Sequence, residues 1–121
     1  MKALITGANS IVNKAILDKL TKLGYQVTAH YHTDNDITAD LKKKYTDVTF
    51  VQADFADKGS FSDFIKQVLN AGKFDVIVNG AVYYAEADDW KPQLDWEQWQ
   101  KNFAINTTSA GMLMSHAGEL V

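Results

Sequence analysis

The stretch Met1-Lys2-Ala3-Leu4-Ile5-Thr6-Gly7-Ala8-Asn9-Ser10-Ile11-Val12-Asn13 decides how the chain is read. A short apolar run, residues 3–5, ends in Thr6-Gly7, and a helix-patterned stretch follows at once. A strand, a tight glycine turn and a helix N-terminus in that order form a phosphate-binding corner. The first turn of such a helix offers unpaired backbone N–H groups and the positive end of its dipole to an anion. Gly7 permits the tight turn and a close approach of the backbone to phosphate.

Outward from this corner, strand-like and helix-like segments alternate. Residues 2–6 read as a first strand. Ile11, Ala15, Ile16, Leu20 and Leu23 recur at helical spacing and predict a helix that stops at Gly24. Residues 26–31 read as a second strand, 34–45 as a polar helix with Ile37 and Leu41 four apart, and 48–52 as a third strand. Phe61, Phe64, Ile65, Val68 and Leu69 form a helical stripe within 57–70, closed by Gly72. Residues 74–79 are nearly all apolar, as a strand covered on both faces should be. Residues 80–95 read as a loop with the only proline, Pro92, and Asp95 can cap a long helix over 96–116. Gly118-Glu119-Leu120-Val121 reads as the first residues of a fifth strand.

Alternation at this spacing implies parallel strands joined by right-handed crossovers. The expected architecture is α/β: a Rossmann-like doubly wound parallel sheet of about four strands plus the start of a fifth, order 3-2-1-4, in one domain over residues 1–121.

Composition narrows the partners. A net charge of -3, with 46% hydrophobic and 22% charged residues, carries no electrostatic footprint for nucleic acid or an anionic membrane. Without cysteine there is no disulfide, thiolate nucleophile or cysteine metal site. Glu86, Asp88 and Asp89 are carboxylates alone and read as a solvated loop, so no metal is expected. The apolar run after Lys2 is far too short for a signal peptide, and no stretch is long enough to span a bilayer; a cytoplasmic protein is expected.

Four short motifs follow one another along the chain: Thr6-Gly7 with Ile11 and Asn13; Gln52-Ala53-Asp54-Phe55 after the third strand; Asn79-Gly80-Ala81-Val82 after the fourth; and Asn102-Phe103-Ala104-Ile105-Asn106 in the long helix. In this order the chain resembles the N-terminal half of the short-chain dehydrogenase/reductase family. The family's Thr-Gly-x-x-x-Gly-x-Gly turn falls on Thr6, Gly7, Ile11 and Asn13, so two of its three glycines are replaced. Its Asn-Asn-Ala-Gly motif falls on residues 79–82 with two matches of four.

The resemblance implies an NAD(P)-dependent oxidoreductase that transfers hydride between the nicotinamide and a small carbonyl or alcohol substrate, this chain carrying the cofactor-binding half. It implies cofactor contacts at Gly7, Asn9, Ser10, Ile11 and Val12 in the corner, at His30, Tyr31 and His32 after the second strand, at Asp54 and Phe55 beside the adenine, and at Asn79, Gly80 and Ala81. Asn106 falls on the family's relay asparagine. The family's catalytic Ser and Tyr-x-x-x-Lys have no counterpart; no Tyr-x-x-x-Lys occurs in these 121 residues, and the chain alone is expected to be inactive.

Several positions carry a plainer reading beside the family one. Residues 28–33 offer no acid for a ribose 2′-hydroxyl, and His30, Tyr31 and His32 could receive a 2′-phosphate instead, which favours NADP(H) over NAD(H); two solvated histidines at a strand end are the plainer reading. Asp54 could equally be a helix cap, Asn79 a strand terminator, and Asn106 a partner for neighbouring backbone. Ile11 puts a branched side chain, and Asn13 a larger one, where the family has glycine. Binding is therefore expected to be weak, and glycine at both positions is expected to tighten it. Trp90, Trp96 and Trp99 are expected to pack over the sheet end or a partner. The apolar helix 96–116 and the open edge of the fourth strand predict a homo-oligomer. A non-catalytic Rossmann-like module that binds a nucleotide or a protein is the alternative function.

Overall fold

The computed structural model describes residues 1–84 and 95–121. The elements in order are β1 (Lys2–Ile5), α1 (Ile11–Lys22), β2 (Gln26–Tyr31), α2 (Asp36–Lys44), β3 (Thr49–Gln52), α3 (Lys58–Asn70), β4 (Val76–Val78), α4 (Trp96–Phe103), a π-helical turn (Ala104–Thr108), α5 (Ser109–Ser115) and α6 (Ala117–Leu120). Residues 85–94, with Glu86, Asp88, Asp89, Trp90 and Pro92, lie outside the described part.

All strand pairs are parallel and the order is β3-β2-β1-β4, as the alternation predicts. Leu4 sits in register between Thr28 on β2 and Ile77 on β4. The two-residue period of β1 sends successive side chains to opposite layers. Leu4 joins Val51, Phe55, Phe64, Val68, Phe74, Leu113 and Leu120 on the side of α3 and α5. Ala3 and Ile5 join Leu17, Leu20, Val27, Ala29 and Leu41 on the side of α1 and α2. Burial of each large apolar side chain in these layers contributes roughly 1.5–3 kcal/mol.

Helix starts follow their local chemistry. Ser10, Asn35, Asp57 and Asp95 each accept an N–H bond in the first turn of α1, α2, α3 and α4. Asn35 and Thr38 form a reciprocal capping box.

Three expectations are corrected. The buried residues of α1 are Asn13, Leu17 and Leu20, whereas Ile11 at its first position is 84% exposed and Leu23 is exposed as well. The stripe was phased on apolar residues, but a polar side chain with backbone partners occupies the inner face. Second, residues 118–121 are not the start of a fifth strand. Ala117–Leu120 is a helical turn: the N–H groups of Leu120 and Val121 donate to His116 and Ala117 carbonyls at 3.0 and 2.9 Å. Leu120 is buried, and its carbonyl accepts the N–H of Phe74 at 2.6 Å. This local bonding satisfies backbone that an extended segment would have to pair across the sheet. The long helix over 96–116 is likewise divided by the π turn. β4, at the sheet edge, is half-buried along its length.

Candidate dinucleotide-binding cleft

The carboxyl ends of β1, β2 and β4 open into one cleft. Gly7, Asn9 and Ser10 form its first wall, His30, His32, Ala53, Asp54 and Phe55 the second, and Gly80–Tyr83 with Lys101 and Ile105 the third. Parallel sheets of this order place ligands at such a crevice.

The first wall is the turn that opens α1. Gly7 has φ +67°, and a Cβ there would lie 2.8 Å from the Gly80 carbonyl and from Ala81 Cα. Backbone conformation and neighbouring backbone both demand glycine. The Thr6 hydroxyl accepts the N–H groups of Gly80 at 3.0 Å and Ala81 at 3.1 Å, tying the first wall to the third. Asn13 adds a second tie from α1: its Nδ2 donates to the Gly7 carbonyl at 2.9 Å and the Gly80 carbonyl at 2.8 Å. Among the described residues, the N–H groups of Asn9, Ile11 and Val12 have no hydrogen-bond partner. They are the donors an anion would meet at this helix start. The side chains of Ile11 and Val12 are exposed and line no part of the cleft.

The second wall rests on His30, which is 2% exposed. The Gly7 N–H donates to its Nδ1 at 3.1 Å, so the ring's proton sits on Nε2 and is donated to the Ala53 carbonyl at 2.9 Å. Phe55 stacks on the ring with centroids 3.9 Å apart, and Phe64 meets it edge-on at 5.3 Å. Burial pushes the His30 pKa down to about 4. A neutral ring with both nitrogens engaged supplies no charge to a 2′-phosphate. Tyr31 is also directed elsewhere, its hydroxyl accepting a bond from Lys42 Nζ at 2.7 Å on α2. His32 is exposed at the cleft, with Nε2 at 3.7 Å from Asp54 Oδ1. Asp54 Oδ1 accepts the Ala56 N–H at 2.9 Å; the helix cap is Asp57.

On the third wall, Asn106 lies in the π turn and outside the cleft lining. Its Oδ1 accepts the Tyr83 N–H at 2.6 Å, and its Nδ2 donates to the Tyr83 carbonyl at 2.8 Å. The carboxamide pairs with Tyr83 as a neighbouring strand would. Such π turns recur at functional sites. Asn79 is exposed and does not line the cleft, whereas Gly80 and Ala81 do. Sequence reasoning missed Ala53, Val82, Tyr83, Lys101 and Ile105 as lining residues. The four-residue spacing of Lys101 and Ile105, one helical turn, was the available signal.

Comparison with known proteins agrees with this geometry. The model of the short chain dehydrogenase family matches residues 1–120, and the chain belongs to that family. A curated protein of Thermotoga maritima, named uncharacterized oxidoreductase, is 25% identical over 121 residues, covering 97% of this chain and 46% of the relative. A Bacillus thuringiensis structure provisionally described as a 3-oxoacyl-reductase superposes with a TM-score of 0.80 at 27% identity, over 94% of this chain and 49% of that one. A blue fluorescent protein from a metagenomic library, solved in complex with NADPH, superposes with a TM-score of 0.80 at 19% identity, over 97% of this chain and 49% of that one. The chain thus spans about half the length of the relatives it matches.

Proposed function

We propose that this chain forms the nicotinamide-dinucleotide-binding part of an oxidoreductase acting on a small carbonyl or alcohol. The observation that carries the reading is the N–H set of Asn9, Ile11 and Val12 at the start of α1, without partners among the described residues, next to a cleft that Gly7, Asn9 and Ser10 line over the strand ends. These donors fit a pyrophosphate. Asp54 and Phe55 line the cleft, and the family resemblance supports them as the adenine contacts. The bound dinucleotide would supply the hydride chemistry. This chain's own residues would bind and orient it.

NADP(H) is the proposed preference, and it now rests on His32. That ring is exposed at the cleft, with Asp54 Oδ1 3.7 Å from its Nε2. We further propose that the protein works in the cytoplasm and self-associates through α4, where Trp96, Trp99 and Phe103 are exposed. No helix among the described residues is long and apolar enough to cross a membrane. The second reading, a non-catalytic nucleotide- or protein-binding module, is favoured by one observation: Ile11 and Asn13 stand where the family has two of its three motif glycines.

Thermal melts with millimolar NADPH and NADH test the proposal. A ligand at about 100 times its dissociation constant stabilises by roughly 2.7 kcal/mol. A larger shift with NADPH is expected. A larger shift with NADH overturns the preference, and no shift with either favours the second reading.

A further inference from the structure

The replaced motif glycine at position 13 has acquired a task. Asn13 is only 5% exposed and directs its amide into the seam between the two loops that flank the cleft. One Nδ2 group serves the carbonyls of Gly7 and Gly80, at 2.9 and 2.8 Å, with the Thr6 carbonyl at 3.5 Å. Gly80 completes the fit, since a Cβ on it would lie 2.6 Å from Asn13 Oδ1 and from the Thr6 carbonyl. The Gly7 peptide groups are held from two sides: its carbonyl by Asn13 on α1, its N–H by His30 on β2. Neither bond uses the donors of Asn9, Ile11 and Val12, which have no partner among the described residues.

We propose that Asn13 is a positioning residue for the dinucleotide: its amide clasps the turn at Gly7 to the loop at Gly80 and so sets the width of the cleft and the aim of the free N–H groups. This rests on the proposed nucleotide binding. It reverses the expectation drawn from the motif, in which a side chain at position 13 obstructs the cofactor and glycine would help. The side chain lies behind the turn and is absent from the cleft lining.

The sign of one substitution tests it. NADPH binding is measured by calorimetry on the unchanged chain and on Asn13→Gly, at a temperature where near-UV dichroism shows both folded. Loss of two hydrogen bonds to the corner predicts about tenfold weaker binding. Equal or tighter binding by the folded glycine variant overturns the positioning role and leaves the nucleotide reading standing. Absence of NADPH binding by the unchanged chain overturns both. If Asn13→Gly does not fold, Asn13→Ser keeps a hydroxyl donor with shorter reach. It should bind at least about threefold more weakly, and unchanged affinity in that variant overturns the proposal equally.

Discussion

Thr6 holds Gly80 through its side chain: the hydroxyl oxygen accepts the Gly80 N–H at 3.0 Å and, beside it, that of Ala81. The threonine of the Thr-Gly pair thereby acts as an acceptor for the loop after β4. Thr6→Val keeps the shape and removes the acceptor, leaving two donors without their partner. The expected loss is on the order of 2 kcal/mol or more, while Thr6→Ser keeps the acceptor and costs less. Urea unfolding of both variants checks this, and equal losses would assign the effect to the methyl group.

Stability should fall as the solution is acidified from about pH 6.5 to about pH 4. His30 titrates near 6.5 when unfolded, and burial pushes it down to about 4 in the folded chain. Between these values the unfolded state binds more protons, so stability rises with pH across the window and is lost on acidification. The gap corresponds to roughly 3 kcal/mol. His30→Asn should be less stable at neutral pH but flatter across the same window. A parallel pH profile for that variant would remove His30 as the cause.

Leu120→Ala should cost about 2–5 kcal/mol, the usual range for emptying a buried leucine site. Val121→Ala, at an exposed position next to it, should change stability by less than about 0.5 kcal/mol. Denaturant midpoints distinguish the two. Equal small effects would show that the helical turn at Ala117–Leu120 is not part of the core.

The exposed aromatic face of α4 should mediate self-association. Trp96→Lys combined with Phe103→Lys is expected to shift light scattering toward the monomer mass while far-UV dichroism stays unchanged. A monodisperse monomer from the unaltered chain would refute the association.

The sheet order was legible because strand and helix segments alternate, with Gly7, Gly24 and Gly72 punctuating them. The cleft was legible as a place, since the motifs after β1, β3 and β4 meet at the strand ends. Individual side chains were harder to place. His30 and His32 are two apart on neighbouring backbone, yet only the tertiary packing of Phe55 and Phe64 decides that the first is sealed in. Asn13 read as an intruder because sequence shows its size and not its partners, which are the nearby carbonyls of Thr6 and Gly7 and the distant one of Gly80. The apolar pair Leu120–Val121 read as a strand, and only the backbone bonds of these residues to His116 and Ala117 make the segment a helical turn.

Trp96 and Trp99 stand exposed on α4, whereas Phe64 and Phe55 are buried in the layer beneath the sheet. With Trp90 replaced by Phe, the emission of these two indoles samples the water, partner or ligand beside α4 and not the packing of that layer. Circular dichroism in the far ultraviolet weighs every strand and helix. The two melting curves have separate physical origins, and a gap between them would register an event at α4, such as release of a partner, before any residue of the sheet has melted.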